Sequence, residues 1–372
     1  MVGFQRNRRG GRDASWLART ARNLAPVLVG LVASIAPARA DGPAIVVSIK
    51  PIHSLVASVM EGVGEPILLV ESGGSPHGYT LKPSQASAMA DADLVIWIGE
   101  GMESYLSAPI ESLVQNDRVL ELADLSGVVV LPLREGGVWE PHIHGDTERA
   151  DDDHADNDHA DEEHADEHAG EDHAEDEHAQ EEHADEHAEE DHAHEHGHAW
   201  YDPHLWLDPQ NALVMARAIA DRLVLLDPGH REAYEANLAA LTDALEGLDG
   251  ELATMLAPVR ATPYIVFHDA YQYFERRYGL TGVGSITLDP EQGASAARLS
   301  AIRERLAAAD VVCAFAEPLV DQGLLDTAIE GTDVRVATLD PEGVLLDAGP
   351  ALYATLISGL AQTMATCLAS PG

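Results

Sequence analysis

From Ala44 onward, short apolar runs rich in β-branched residues alternate with amphipathic segments whose apolar residues recur at helical spacing. In the first half this pattern predicts strands over 44–49, 66–71, 93–98 and 118–122, and helices over 52–61, 83–90, 103–114 and 209–226. In the second half it predicts strands over 264–267, 311–316 and 334–339, and helices over 270–278, 296–308, 321–329 and 351–368. Such alternation is typical of α/β domains with a mainly parallel sheet.

One long helix is predicted between the two series. Over residues 229–256 apolar side chains recur at helical spacing, among them Leu238, Leu241, Leu245 and Leu252. About 28 residues at 1.5 Å each would reach some 40 Å, enough to run along two lobes. We therefore predict an α/β protein of two lobes, each with a mainly parallel sheet flanked by helices. The N-terminal lobe is expected over 41–227, the linking helix over 228–257 and the C-terminal lobe over 258–372.

The N-terminal 40 residues have the features of a signal peptide. They carry seven Arg, an apolar stretch over 24–36 and the small-residue pattern Ala38-Arg39-Ala40. The apolar stretch is too short to span about 30 Å of hydrocarbon, so we expect export with cleavage near Ala40. The alternative is an anchor helix that stays attached.

The only cysteines are Cys313 and Cys367. In the oxidising compartment that export implies, such a pair can form a disulfide, and we expect one. Two buried thiols are the alternative.

The charge is strongly acidic and unevenly distributed. The chain has 372 residues with 64 Asp and Glu against 22 Lys and Arg, a formal charge of −42. Nucleic acid and anionic membranes are therefore poor partners. Residues 146–199 alone hold 25 acids and one Arg. More than half of the imbalance thus lies in one segment.

This segment, the insert over 142–199, repeats His-Ala with two or three acids. Successive His residues lie mostly four or five positions apart, so they drift around an α-helix, and nothing beyond Ala offers a core. We expect a disordered arm that acts as a low-affinity zinc collector or sensor, because imidazoles bind Zn²⁺ and carboxylates concentrate cations. A polar spacer is the alternative. The histidines of the repeat are His154, His159, His164, His168, His173, His178, His183, His187, His192, His194, His196 and His198.

A few histidines outside the insert follow predicted strands. His53, His77 and His268 come after the strands over 44–49, 66–71 and 264–267, and Asp340 after that over 334–339, whereas His204 lies where the insert rejoins the fold. Loops at the carboxyl ends of parallel strands converge on one crevice, so all five side chains could face a cleft between the lobes. Neutral imidazoles are typical Zn²⁺ ligands, although a single loop His is more often an ordinary hydrogen-bonded residue. His230, at the start of the linking helix, is expected to be exposed.

Several segments resemble the zinc-binding receptor subunits of bacterial zinc ABC transporters, the ZnuA-like family. They are SIKPI at 48–52, PHGY at 76–79, LKPS at 81–84, HLWLDP at 204–209, FHDAYQYF at 267–274, FAEP at 315–318 and TLDP at 338–341. The resemblance covers about 44–368. It implies two α/β lobes joined by a rigid long helix, with the metal held between them.

The resemblance also implies a ligand set. By position the metal ligands would be His77, His204 and His268, with Asp340 or water as the fourth. Similar manganese receptors have Glu in place of His268, so this residue argues for zinc. Some zinc receptors have Glu immediately before the first ligand His, where this chain has Pro76.

Two further residue roles follow from the resemblance. His53 occupies a position at which the family has no ligand, so it is expected to be structural. Cys313 and Cys367 match a disulfide of the zinc members.

The function implied is periplasmic capture of Zn²⁺ as cargo and its delivery to a permease with its ATPase. A monomer is expected, and an auxiliary periplasmic zinc chaperone is a further candidate partner. The competing hypothesis is a zinc hydrolase, since three His with an open position also describe catalytic zinc. Glu317 or Asp269 would then be the base, but no Gly-x-Ser-x-Gly motif occurs after Ala40. A third hypothesis is metal buffering by the insert alone.

Overall fold

The computed structural model describes residues 42–71, 75–134, 201–287, 295–320 and 322–369. The predicted signal peptide (1–40) and the predicted insert (142–199), with its twelve repeat histidines, lie outside this part of the chain. Within it, no helix combines the length and the apolar character that a membrane span needs.

The first lobe is built on a four-stranded sheet in which all neighbouring strands are parallel and the order is β2-β1-β3-β4. Val46 lies opposite Ile67 on one side and Val95 on the other. The predicted strand over 66–71 is reduced to two residues, whereas the other strands lie close to their predicted positions. The elements are β1 (Ile45–Val47), α1 (Lys50–Val59), β2 (Ile67–Leu68), α2 (Pro83–Asp91), β3 (Leu94–Trp97), α3 (Ser104–Leu113) and β4 (Val119–Glu121).

α4 (Pro209–Leu226) is followed by α5 (Arg231–Leu256), which connects the two lobes. The long linking helix is α5, which begins two residues later than predicted because Pro228–His230 forms a 3₁₀ turn. Nδ1 of His230 lies 2.6 Å from Oδ2 of Asp227, and its side chain is 43% exposed. His230 is therefore a half-exposed residue at the start of the linking helix.

The second lobe repeats the topology of the first, with four parallel strands in the order β6-β5-β7-β8. The sequence pattern missed β6, whose residues include two glycines, a serine and a threonine and therefore form no apolar run. The elements are β5 (Tyr264–His268), α6 (Gln272–Tyr278), β6 (Gly282–Thr287), α7 (Ala296–Ala308), β7 (Cys313–Ala316), α8 (Gln322–Ile329), β8 (Arg335–Thr338) and α9 (Leu352–Leu368). The predicted fold class is confirmed.

The lobes share one apolar core. Alternate residues of β1 and of β5, such as Val47 and Val266, face a single cluster that also contains Leu245 of α5 and Leu360 of α9. The opposite faces of the two sheets pack into separate outer clusters. Because successive strand residues point to opposite faces, each sheet is buried on both sides. The contact between the lobes therefore includes residues of both sheets as well as the linking helix.

A buried lysine adds polar contacts between the lobes. Nζ of Lys50, at the start of α1, donates to the main-chain oxygens of Gly343, Val344 and Leu346 at 3.2, 3.0 and 2.8 Å. These carbonyls lie in the loop between β8 and α9, so the ammonium group orders this loop against the first lobe.

The predicted disulfide is confirmed. Cys313 at the start of β7 is bonded to Cys367 near the end of α9, 54 positions further along the sequence. It connects the second sheet to the helix that packs against the linking helix.

Candidate metal centre

Three of the singled-out histidines come together. His77 lies in the loop after β2, His204 immediately precedes a 3₁₀ turn over Leu205–Leu207, and His268 is the last residue of β5. Each offers one ring nitrogen, and these nitrogens lie within 4.8 Å of one another. His204 and His268 are buried, and their Nε2 atoms are 3.3 Å apart. The ring of His77 is centred 5.5 Å from that of His204 and 6.0 Å from that of His268.

The sheet topology explains the position of His268. From β5 the chain passes first to β6 on one side and later to β7 on the other, so the carboxyl end of β5 lies where the strand order reverses. Crevices form at such points because the loops on either side diverge. His268 therefore projects from the edge at which an α/β sheet has room for a ligand.

Asp202 orients His204. Oδ1 of Asp202 lies 2.7 Å from Nδ1 of His204 and accepts a hydrogen bond from its main-chain N–H at 3.0 Å. When Asp202 is ionised its carboxylate can only accept, so the proton then resides on Nδ1 of His204 and the lone pair on Nε2. Beyond the turn, Asp208 caps α4 by accepting from the N–H of Gln210, with Pro209 as the first helical residue. The turn between these two aspartates is thus fixed at both ends.

Glu317 orients His268 in the same way. Both carboxylate oxygens lie 2.7 Å from Nδ1 of His268, and Oε1 also accepts from the hydroxyl of Tyr271 at 3.3 Å. Glu317 directly follows β7, the neighbour of β5, so both residues lie at the same edge of the sheet. The Nε2 atom of His268 is therefore left facing His204.

Burial and neighbouring charges shift the pKa values of this centre. Burial, reinforced by the proximity of His268, lowers the pKa of His204 well below its usual value, so His204 is a neutral imidazole. Burial also lowers the pKa of His268, but the charge of Glu317 and its hydrogen bond outweigh this and raise it. Burial raises the pKa of Asp202 to about 7.

The other candidate residues lie outside this group. Among the described residues the group of close ligand atoms consists of the three histidines. The carboxylate of Asp340 accepts from the main-chain N–H groups of Val344 and Leu345 at 2.9 and 3.0 Å. It lines a cavity of about 210 Å³ together with Glu317 and Ser75.

His53 is not a member of the group. α1 begins at Lys50 and includes His53, whose Nε2 lies 3.0 Å from the main-chain oxygen of Pro66. Burial lowers the pKa of this histidine.

The sequence reasoning missed the orienting roles of Asp202 and Glu317. A signal for Asp202 existed, since a carboxylate two residues before a candidate ligand can reach back to its ring. Glu317 carried the weaker signal of a carboxylate at the end of a strand next to that of His268.

A known protein family matches most of the chain. The family model for ZnuA, described as the periplasmic component A of the zinc-uptake complex, matches residues 45–367. The chain belongs to this family.

Relatives named high-affinity zinc uptake system protein ZnuA cover most of the chain. The ZnuA of Brucella abortus is 45% identical over 324 residues, which are 87% of this chain and 91% of that protein. The ZnuA of Paracoccus denitrificans is 40% identical over 335 residues, 89% of this chain and 94% of that one.

Solved structures share the fold. The periplasmic zinc binding protein TroA of Treponema pallidum superposes with a TM-score of 0.65 at 19% identity, covering 88% of this chain and all of TroA. A zinc-bound deletion mutant of ZnuA superposes with a TM-score of 0.64 at 22% identity, covering 89% of this chain and all of the other. At these identities the likeness concerns the two-lobed fold alone.

Proposed function

We propose that this ZnuA-family chain is a periplasmic receptor that captures Zn²⁺ between its lobes and delivers it to an ABC permease driven by an ATPase. Membership of a family named for periplasmic zinc uptake supports this function. The observation that carries it is the group of three histidine nitrogens within 4.8 Å of one another. Zn²⁺ prefers such nitrogen ligands in tetrahedral sites.

The spacing of two nitrogens supports zinc in particular. Around a tetrahedral Zn²⁺ with bonds of about 2.0 Å, neighbouring ligand atoms are about 3.3 Å apart. The Nε2 atoms of His204 and His268 have this separation, and both face the same point because Asp202 and Glu317 hold the Nδ1 sides. Binding then requires mainly that His77 move toward a pair that is already in position. Preorganisation of this kind reduces the cost of capture.

The fourth ligand in this proposal is Asp340 or water. Asp340 would have to exchange its hydrogen bonds with Val344 and Leu345 for the metal, whereas water would require no rearrangement. A nitrogen donor at His268, where the manganese receptors of the resemblance have Glu, favours zinc over the oxygen-seeking cations.

We further propose that the chain is not an enzyme. Both candidates for the single base that a hydrolase would need are engaged, since Glu317 binds His268 and Asp269 forms an ion pair with Arg134. An activated water needs a base within hydrogen-bond reach, and neither carboxylate is available for that.

The remaining parts of the proposal concern processing and partners. A signal peptide over 1–40 would be removed, leaving an N-terminal lobe over 41–227, a linking helix over 228–257 and a C-terminal lobe over 258–372. The receptor would act as a monomer, and an auxiliary periplasmic zinc chaperone is a further candidate partner. The insert would collect zinc at low affinity.

Zinc titration against a competing chelator tests this function. We expect one tight site plus several weak ones in the chain purified from the periplasm. Replacing His77, His204 and His268 by Ala, with the insert intact, should leave only the weak sites. His230→Gln is the matched control, because this histidine lies outside the group and should not affect tight binding. Tight binding that survives the triple replacement would assign the function to the insert.

A further inference from the structure

The chain on both sides of residues 135–200 is held against the second lobe. Pro132 and Tyr201 form an antiparallel bridge, and the N–H of Asp202 donates to the main-chain oxygen of Leu131 at 2.9 Å. The hydroxyl of Tyr273 in α6 donates to the oxygen of Asp202 at 2.7 Å and accepts from the N–H of Leu131 at 2.9 Å. The segment that leads to His204 is therefore attached to a helix of the opposite lobe.

Arg134 adds an ionic contact at the same place. Its Nε donates to Oδ2 of Asp269 at 2.9 Å, its Nη2 donates to the other oxygen of that carboxylate, and its Nη1 reaches Oε2 of Glu275 at 2.5 Å. Both carboxylates are buried, while the Arg134 side chain is 19% exposed. We call these three residues the Arg134 cluster. A planar guanidinium suits two carboxylates at once, which a lysine ammonium does not.

The second-lobe side of the Arg134 cluster is rigid. Oε1 of Glu275 accepts from the hydroxyl of Tyr264 in β5 at 2.9 Å. A Cβ at position 282 would collide with this carboxylate, and the residue there is Gly282. Asp269 is fixed because it directly follows the last residue of β5. Arg134 thus binds two carboxylates that cannot follow it if it moves.

We propose that Arg134 is a positioning residue for the zinc site. Through Asp269 it is connected to the chain that carries His268, and through the bridge of Pro132 with Tyr201 to the chain that carries His204. The Arg134 cluster holds these two segments together, so the two Nε2 atoms stay 3.3 Å apart before metal arrives. This inference rests on the proposed zinc-binding function.

If the charge of Arg134 acted only through electrostatics, losing it would tighten zinc binding rather than weaken it. A fixed positive charge near the centre repels Zn²⁺, so loss of the guanidinium by itself would tighten binding. Loss of positioning instead weakens binding, because the metal must then gather ligands that are no longer in place. The sign of the change therefore separates the two effects.

The test compares Arg134→Met and Arg134→Lys with the unchanged chain, using chelator competition for zinc affinity and the rate of zinc release into excess chelator. We expect Arg134→Met to weaken zinc binding about tenfold or more, the scale found when partners beyond the ligands are lost, mainly through faster release. Arg134→Lys should show a smaller loss. The visible absorption of bound Co²⁺ should change in both variants, because ligand geometry changes.

Arg303→Met is the matched control. It removes another arginine–carboxylate pair, with Glu330 just after α8, that does not touch a residue next to a candidate ligand. We expect its zinc affinity and Co²⁺ spectrum to match those of the unchanged chain.

Unchanged or tighter zinc binding by Arg134→Met would overturn the positioning role. If that variant does not fold, Arg134→Lys with affinity and spectrum equal to those of the unchanged chain would overturn it as well. An unchanged chain without a tight site would instead refute the proposed function.

Discussion

The carboxyl group of Glu103 should make the stability of the metal-free protein depend on pH. Glu103 is fully buried just after β3, where Oε2 accepts from the N–H groups of Ile98 and Gly99 at 3.2 and 3.1 Å. Its Oε1 lies 2.5 Å from Oγ of Ser48 at the end of β1. Burial raises the pKa of Glu103 to about 7 from an ordinary 4.5, and these hydrogen bonds only partly oppose it.

The size and sign of the effect follow from proton linkage. Because the folded-state pKa lies above the unfolded-state value, the folded protein binds this proton more tightly. The stabilising contribution is complete below the unfolded-state pKa of 4.5 and is lost as pH rises to about 7. The difference between the two pKa values corresponds to about 3 kcal/mol in the free energy of unfolding. Stability should therefore fall over this range.

Glu103→Gln removes the titration while keeping the size of the side chain. We expect the free energy of unfolding of the variant to increase by about 3 kcal/mol relative to that of the unchanged chain between pH 4.5 and 8, because only the unchanged chain loses stability over this range. Urea unfolding of both proteins at several pH values, in the presence of chelator, measures this difference. Burial also raises the pKa of Glu121 to about 7, and the charge of Glu121 adds a small part to the shift of Glu103, but Glu121 itself is present in both proteins.

The control for this experiment is Glu111→Gln, which changes an exposed glutamate of α3. Its free energy of unfolding should change with pH in the same way as that of the unchanged chain. If the free energy of unfolding of Glu103→Gln also follows that of the unchanged chain over the whole pH range, the carboxyl group of Glu103 is not protonated in the folded protein and the reasoning is wrong.

Three further outcomes can be measured. Glu317→Gln should weaken zinc affinity about 10- to 100-fold, because His268 loses a charged orienting partner, and chelator competition that finds no change would contradict that role. Reducing the disulfide between Cys313 and Cys367, which lie 54 positions apart, should lower the free energy of unfolding by about 4 kcal/mol, because the unfolded chain gains loop entropy. The urea midpoint measures this change, and a midpoint that stays constant would argue against it. Deleting residues 151–198 should leave one tight zinc site and reduce the total stoichiometry in calorimetric titration, and loss of the tight site would place ligands in the insert.

Local sequence patterns determined much of the fold. α4 and α7 have the predicted bounds, since Asp208 with Pro209 and Ser295 mark where these helices begin. The alternation of strands and helices predicted parallel sheets, and a long helical repeat predicted α5. β6 was missed because its burial comes from β5 and α7 rather than from an apolar run of its own.

The candidate ligands could also be found from the sequence, because a parallel sheet brings its strand ends to one edge. His77 and His268 follow from that rule, and His204 from its position beside the insert. The same rule does not bring His53 into the group, because this residue lies within the helix predicted over 52–61, here α1, and its Nε2 contacts the main-chain oxygen of Pro66 instead.

Which distant surfaces meet was decided by the tertiary structure alone. Hydrophobic periodicity reports that a face is buried, but it does not say against what. The shared core of the two lobes therefore has no counterpart in any local pattern. The pairing of Glu317 with His268, and the reach of Arg134 to Asp269 over 135 positions, likewise depend on how the sheets pack around α5. Residue types and strand ends thus determined which groups are available for zinc, and packing between the lobes determined their distances.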